Sequence, residues 1–274
     1  MALSNSINTN VGAMVALRNL NSTNMDLSKT QDRVSTGLKV IGALDDASSF
    51  AIAQGIRAEI KAVGAVQQGL ANGRGVATVA ISGTTEISNL LADIKKKITE
   101  GMNAGNTTSQ QGILDADYTE LVDQVLNFIQ NSEFNGKNML QATSADVSVI
   151  ADTGGGTLTI RAQDLQSNVF DLLNAEDLST TTAATAALSV VNTAIDTVGT
   201  SLGQLGADAR AIDFQDNFLG SIVDAVEEGL GSIVDADLAK ESAKLQALQV
   251  KQQLAAQTLS IANASPQILL SLFR

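Results

Sequence analysis

A single proline among 274 residues, Pro266 near the end, limits what this chain can fold into. Proline interrupts the interior of a helix, and compact folds with many tight turns usually contain more of it. Only 3% of the residues are aromatic, so most apolar side chains are Ala, Leu, Ile and Val. Ala and Leu favour helix, and small side chains let helices pack closely. The chain is therefore predicted to form long, uninterrupted helices.

The N-terminal segment carries apolar side chains at helical spacing. One set, spaced by three and four residues, predicts a single apolar stripe: Leu3, Ile7, Val11, Met14 and Leu17. A second set recurs every seven residues, the spacing of a coiled coil: Leu20, Leu27, Val34 and Ile41. The Asn, Ser and Thr residues in between are poor helix formers. We expect this segment to become stably helical only when its stripe meets a partner.

The C-terminal segment has a matching pattern of three rows with heptad spacing. The rows are Leu238, Leu245 and Leu259; Leu254, Ile261 and Ile268; and Leu248, Ala255, Ala262 and Leu269. Two amphipathic ends on one chain predict that the ends pair with each other, because independent surface helices would leave both stripes uncovered. Ile41 is open to two interpretations: it extends the heptad seam, or it changes how subunits tilt.

The region between the ends is predicted to be helical with one strand pair. Asp45 or Asp46 is expected to cap a helix over about 47–99, since a carboxylate accepts the free N–H groups of a first turn. A third helix is predicted over about 110–131 and ended by Asn135-Gly136, and a fourth over about 181–236. Alternating Val, Ile, Leu and Thr around three glycines predict a β-hairpin near 146–161.

The fourth helix contains the heptapeptide Leu-Gly-Ser-Ile-Val-Asp-Ala twice, at 219–225 and again at 230–236. An offset of eleven residues is close to three helical turns, so the copies are expected to present the same face. A deliberate packing surface and a local duplication without special function are equally compatible with the repeat.

Charge divides the chain into two kinds of module. The formal net charge is −12, yet segments 1–42 and 236–274 each carry +2, which leaves −16 for the middle. We therefore predict one domain from residues 1–42 plus 237–274, and a second from 43–236. An acidic chain is not expected to bind nucleic acid.

Composition excludes most catalytic chemistry. The chain has no His and no Cys, which removes Cys nucleophiles, His bases, Cys/His zinc sites and Ser-His-Asp triads. No enzyme activity, cofactor or metal is expected. The start lacks a secretory signal, and no apolar stretch approaches the ~20 residues of a membrane span, so membrane insertion is not expected either.

Three short motifs resemble parts of binding sites, and each has a simpler interpretation. Lys95-Lys96-Lys97 is interpreted as a solvated helix face that pairs locally with Asp93 and Glu100, rather than as an anion site. Gly73-Arg74-Gly75 lacks the third glycine of a dinucleotide fingerprint. Asp115 and Asp117 are too few for a calcium loop, and helix capping is the preferred role.

Several segments together resemble bacterial flagellins. The opening Met-Ala-Leu-Ser-Asn-Ser-Ile-Asn-Thr-Asn, the stretch from Arg33 to Val40 with Ala43-Leu44-Asp45-Asp46-Ala47, and Phe134-Asn135-Gly136 are similar to motifs of that family. So are Val234 to Ala239 with Glu241-Ser242, and the ending from Ile268 to Arg274. The resemblance covers about 1–140 and 190–274, and the short middle is typical of the compact alphaproteobacterial type.

The resemblance implies a mainly α fold, with a long antiparallel helical bundle or coiled coil, paired terminal helices and one small β-hairpin. It implies a structural subunit that is exported unfolded by the flagellar type III apparatus and polymerises outside the cell into the filament used for swimming. The implied partners are further copies of the chain, sibling flagellins, the cap and hook-junction proteins, and an export chaperone.

The apolar stripes at the two ends are the candidate polymerisation interface. Its predicted members are Leu3, Ile7, Val11, Met14, Leu17, Leu245, Leu248, Leu254, Leu259 and Ile261. The Gln-rich side of the C-terminal helix is expected to face the filament channel. The alternatives are a hook–filament junction protein from the same export system and a secreted zinc protease, which would need histidine and an inserted domain.

Overall fold

The computed structural model describes residues 9–271, with side chains up to residue 264. Six α-helices account for most of this range. Their bounds are Val11–Thr36 (α1), Ala47–Gly101 (α2), Thr108–Asn131 (α3), Asp171–Asn174 (α4), Thr181–Val234 (α5) and Leu238–Ser271 (α6). The strands form two antiparallel pairs, Glu133–Phe134 (β1) with Lys137–Asn138 (β2), and Val147–Ile150 (β3) with Thr157–Ile160 (β4). The predicted mainly α fold is confirmed.

The chain forms two compact units. The terminal unit comprises residues 1–58 and 225–274, and the central unit comprises residues 59–224. The boundaries fall inside α2 and α5, whereas the sequence-based division was placed at residues 42 and 236. The sequence-based division describes the inner and outer layers that the chain would form in an assembly, not compact units within one copy. It therefore stays a prediction.

In the terminal unit α1 packs along α6 in antiparallel orientation, so the predicted pairing of the two ends is confirmed. Asn10 caps α1 by accepting a hydrogen bond from the Ala13 backbone N–H at 3.0 Å. The helix ends at Thr36, and Gly37 follows in the left-handed conformation with φ 73°. Ile41 lies beyond this end and is exposed, so the interpretation that it extends the heptad seam is wrong.

The segment after α1 runs beside the end of α5. The Lys39 backbone N–H donates to the Val234 carbonyl at 2.6 Å, and the Ala236 N–H donates to the Gly37 carbonyl at 2.8 Å. Val40, Ala53 and Val234 form a small buried core there. The second copy of the heptapeptide therefore leaves the helix at its sixth residue, and α5 ends two residues earlier than predicted.

Asp46 caps α2, as expected for one of the two aspartates. Its Oδ1 accepts from the backbone N–H groups of Ser48 and Ser49 at 3.0 and 3.1 Å, and its Oδ2 accepts from the Ser49 hydroxyl. The Ser49 hydrogen bonds hold the pKa of the Asp46 carboxyl below its ordinary value. Asp45 has a different role, because it forms an ion pair with Lys29.

The central unit is built around α2, α3 and α5. Their buried apolar residues recur at spacings of three and four, which places one face of each helix in a shared core. The row on α5 consists of Ala184, Ala187, Val191, Ala194, Val198, Leu205, Ile212 and Leu219. Asp208 lies in the same row and is buried, and it pairs with Arg161 at 2.6 Å.

The β-hairpin predicted near 146–161 is confirmed, with Val147 opposite Ile160 and Ile150 opposite Thr157. The predicted end of α3 near Asn131 is confirmed, but the prediction that Asn135-Gly136 stops the helix is wrong. The helix ends at Asn131, and Asn135 and Gly136, both at positive φ, instead form the turn between β1 and β2. An Asn-Gly pair has the same left-handed preference in a hairpin as after a helix, so the sequence alone did not distinguish the two roles.

Three glycines on α2 allow strands β1 and β3 and the end of α3 to pack closely on the helix. A methyl group at Gly73 would lie 2.5 Å from Cγ2 of Val149, and one at Gly75 would lie 2.7 Å from Cζ of Phe134. A methyl group at Gly83 would overlap the Ser132 hydroxyl. Glycine weakens a helix interior, so its presence here is explained by close approach. Gly73 and Gly75 are thus packing residues.

Candidate assembly surface

Three polar contacts define the register of α1 against α6. The Asn10 side-chain amide donates to the Ala262 carbonyl at 2.7 Å, near one end of the pair. In the middle, Gln252 Nε2 donates to Asn24 Oδ1 at 2.8 Å. The three contacts, the third between Arg33 and Glu241, fit one antiparallel alignment, which also places Leu27 opposite Leu248.

The interface between these helices, here called the seam, is built from a heptad row on each. The row on α1 consists of the buried or half-buried residues Ala13, Ala16, Leu20, Thr23, Leu27, Thr30 and Val34. The row on α6 consists of the buried or half-buried residues Leu245, Leu248, Gln252, Ala255, Leu259 and Ala262. Three of the predicted polymerisation residues, Leu245, Leu248 and Leu259, therefore lie in the seam of a single copy.

The other predicted residues within the described range are exposed. Val11 and Met14 lie on the side of α1 away from α6, and Leu254 and Ile261 lie on the corresponding side of α6. Met14 is 58% exposed and Ile261 is 73% exposed. Leu17 is also exposed but lies at the edge of the seam. Leu3 and Ile7 fall outside the described residues.

Exposed apolar residues that the sequence interpretation missed extend both outward faces. Val15 and Met25 continue the face on α1, and Val250 continues the face on α6. We call these two faces the outer stripes; their members are Val11, Met14, Val15 and Met25 on α1, and Val250, Leu254 and Ile261 on α6. A helical-wheel projection would have found them, because each outer stripe lies about half a turn from the seam.

Charged groups of the central unit form structural pairs. Lys97 contacts Asp117 at 2.9 Å and Glu100 at 3.7 Å, and the hydrogen bond with Asp117 raises the pKa of the Lys97 ammonium. The predicted pairing of this lysine run with Glu100 is confirmed. Among the described residues no ion pair involves Asp93.

The capping role predicted for Asp115 and Asp117 is wrong. Both lie inside α3, whose N-cap is Thr107 in a capping box with Gln110. Asp115 instead accepts a hydrogen bond from the Leu178 backbone N–H at 2.7 Å. Tertiary contacts, rather than the helix end, use these carboxylates.

Residues 9–271 contain no group of three or more Asp or Glu side chains arranged to hold a metal ion. Within the same range no helix is long and apolar enough to cross a membrane.

Known sequences share this organisation along the whole chain. Residues 7–145 match the family model of the bacterial flagellin N-terminal helical region, and residues 188–273 match that of the C-terminal helical region. Flagellin FljO of Caulobacter vibrioides is 38% identical over the full length of both chains. A flagellin of Brucella melitensis is 39% identical and covers 98% of this chain and 99% of its own.

Solved structures share the fold. The crystal structure of Bacillus cereus flagellin aligns with a TM-score of 0.52 at 22% identity, covering 55% of this chain and 88% of its own. A putative flagellar hook-associated protein from Vibrio parahaemolyticus aligns with a TM-score of 0.62 at 14% identity. The alignment covers 70% of this chain and 100% of that protein. The family models and the full-length relatives favour a filament subunit over a hook–filament junction protein. The protein is a structural subunit of the extracellular flagellar filament and not an enzyme. This chain belongs to the bacterial flagellins, of the compact alphaproteobacterial type.

Proposed function

We propose that copies of this chain join through the outer stripes, while the seam holds each copy together. The observation that carries the proposal is that α1 and α6 each have two apolar faces and that their pairing covers only one. Exposed apolar side chains grouped on one face of a helix are typical of a protein–protein interface.

Burial of the outer stripes supplies the driving force for assembly. Burying one Leu, Ile, Val or Met side chain contributes about 1.5–3 kcal/mol. The outer stripes expose seven such side chains, and a filament repeats the gain in every copy. Leu3 and Ile7 continue the N-terminal stripe in sequence and belong to the same proposed interface.

The route to the filament is part of the same proposal. The chain leaves the cell unfolded through the flagellar export apparatus, guided by a chaperone, and folds at the growing tip beneath the cap protein. A chain without disulfides and with one proline near its end has few slow folding steps, which suits folding at the tip. Sibling flagellins and hook-junction proteins are the further proposed partners.

Charged substitutions separate the two faces of α6. Leu254→Lys together with Ile261→Lys should abolish polymerisation of purified protein onto filament seeds, because charge cannot be buried between copies. The monomer should keep its helical content by circular dichroism. Leu248→Lys should instead lower the helical content of the monomer, since it places the charge in the seam.

Ser260→Lys is the control for an added lysine, because it introduces the charge at an exposed position of α6 without removing an apolar group. It should polymerise like the wild type when followed by light scattering and electron microscopy. Normal filaments from the Leu254→Lys/Ile261→Lys protein would refute the assigned interface.

A further inference from the structure

An apolar stripe lies uncovered on α5 of the central unit. Phe214, Phe218 and Ile222 are spaced by four residues and share one exposed face of the helix, here called the α5 stripe. Phe214 is 72% exposed and Phe218 is 57% exposed, although the chain contains only seven phenylalanines. The buried residues Ile212 and Leu219 lie on the other side of the helix. Within one copy, the stripe contributes nothing to the core.

A groove lies elsewhere on the same unit, between α2, the β1–β2 turn and β3. Its volume is about 410 Å³. Its lining is mostly apolar or glycine and includes Val66, Gly69, Gly73, Phe134, Val149 and Ile150, with Asn72, Asn135, Lys137 and Ser148 as its polar members. None of the α5 stripe residues lines it. We call it the α2 groove.

The α2 groove has the size and chemistry to receive aromatic rings. A cavity of about 150 Å³ lined by apolar side chains binds one benzene molecule, so the α2 groove has space for two phenyl rings. The groove is open beside Gly69. A methyl group placed on Gly69 would have Val149 Cγ1 as its nearest neighbour, at 4.0 Å. Phe134 offers an edge or face to an incoming ring.

Charge favours the same pairing. The only charged residue that lines the α2 groove is Lys137. Residues 213–224 around the α5 stripe carry three carboxylates and no cation, and among them Asp213 is already paired with Arg74 at 3.1 Å. Asp216 and Asp224 are therefore available to a cationic partner. Opposite charges across a contact guide the orientation of two surfaces.

A filament needs this kind of surface pair. An open helical polymer uses heterologous contacts, in which one surface of a copy meets a different surface of the next. We propose that the α5 stripe of one copy docks into the α2 groove of a second copy. This inference rests on the proposed polymerisation and adds a contact in the central unit to those of the outer stripes.

The absence of cysteine from the chain allows a direct test by cross-linking. Phe218→Cys and Ile150→Cys proteins are mixed, polymerised on seeds and oxidised. Ile150 lines the α2 groove and is exposed, so the substitution leaves the core intact. The expected product is a disulfide-linked dimer that contains one copy of each variant. The control mixture pairs Ile150→Cys with Ala186→Cys, at an exposed position elsewhere on α5, and should give far less dimer.

A second measurement does not depend on disulfide geometry. Phe214→Ser/Phe218→Ser should raise the critical concentration for polymerisation at least tenfold while the monomer keeps its helical content. The inference is wrong if this variant polymerises like the wild type, or if both cysteine mixtures give equal dimer yields. Failure of the wild-type protein itself to polymerise would instead overturn the proposed function.

Discussion

Arg33 and Glu241 form an ion pair across the seam, with Arg33 Nη1 3.4 Å from Glu241 Oε1, where α1 ends and α6 begins. The side chains are 18% and 13% exposed. Arg33 Nε and Glu241 Oε2 have no hydrogen-bond partner within the described residues. The ion pair therefore contributes more to the register of the two helices than to their stability. Both charged groups lose water on burial, and the remaining hydrogen bonds only partly compensate for that loss.

Removing one member of this pair should cost more than removing both. Arg33→Met leaves the Glu241 carboxylate without its partner, and we expect a loss of about 1–3 kcal/mol in the free energy of unfolding. Arg33→Met/Glu241→Met should recover most of that loss, because no unpaired charge remains. Urea unfolding of the monomer measures both. A double variant less stable than Arg33→Met would contradict the argument.

Gly83 and Gly64 should respond in opposite ways to substitution by alanine. Gly83→Ala places a methyl group onto the Ser132 side chain, and overpacking of this kind costs about 1–3 kcal/mol. At Gly64, also in α2, nothing lies within 4 Å, so Gly64→Ala should stabilise by about 0.5–1 kcal/mol through helix propensity. Thermal unfolding monitored by circular dichroism would show the contrast, and two shifts of the same sign would refute it.

The only tyrosine, Tyr118, reports on the central unit. Its buried hydroxyl donates to the Leu173 carbonyl at 2.6 Å, and burial raises the pKa of the phenol above its ordinary value of 10.0. Because the folded-state pKa is the higher one, stability is retained below pH 10 and falls as the pH rises above it. Phenolate absorbance should therefore appear together with loss of helix in alkali, and ionisation at the ordinary pKa with the helices intact would be the contrary result.

Replacing the same residue tests its hydrogen bond. Tyr118→Phe keeps the ring but leaves the Leu173 carbonyl without this donor, and a buried unsatisfied acceptor costs about 1–3 kcal/mol. The expected result is a lower midpoint of urea unfolding with an unchanged slope. A midpoint equal to that of the wild type would show that water replaces the hydroxyl.

Lys29 and Asp45 should make the terminal unit sensitive to acid. Lys29 Nζ lies 2.8 Å from Asp45 Oδ1, and this hydrogen bond is the main cause that lowers the pKa of the Asp45 carboxyl below 3.8. The folded-state pKa is the lower one, so the stabilisation is complete above about pH 3.8 and is lost as the pH falls through the folded-state pKa. Asp45→Asn should cost about 0.2–1 kcal/mol at neutral pH, a range typical of exposed pairs.

The pH dependence of that difference is the measurement that matters. The gap in unfolding free energy between the wild type and Asp45→Asn should close as the pH is lowered below 3.8. Lys29→Gln should reproduce the loss, and Lys29→Gln/Asp45→Asn should lose no more than either single variant. A gap that stays constant with pH would show that ionisation of Asp45 does not contribute to stability.

Residue spacing by itself determined the helical class of this protein, the pairing of its two ends and the hairpin between β3 and β4. Apolar residues that recur every seven positions are buried only when a second helix faces them. Alternating apolar and polar residues on both sides of a glycine turn are typical of two paired strands. The sequence pattern alone therefore predicts the paired helices and the hairpin. An aspartate cap for α2 followed for the same reason, whereas the structure decided that Asp46 and not Asp45 provides it.

Only the tertiary structure decided which apolar row of α6 forms the seam. Leu259 and Ile261 are similarly hydrophobic and two residues apart, yet the first is half-buried against α1 and the second faces outward. The choice depends on the register set by Asn10, Asn24 and Arg33, contacts between residues more than 200 positions apart in sequence. The packing roles of Gly73, Gly75 and Gly83 also required the tertiary structure. The sequence shows that these positions lack a side chain, but only the fold shows which neighbouring group packs against each of them.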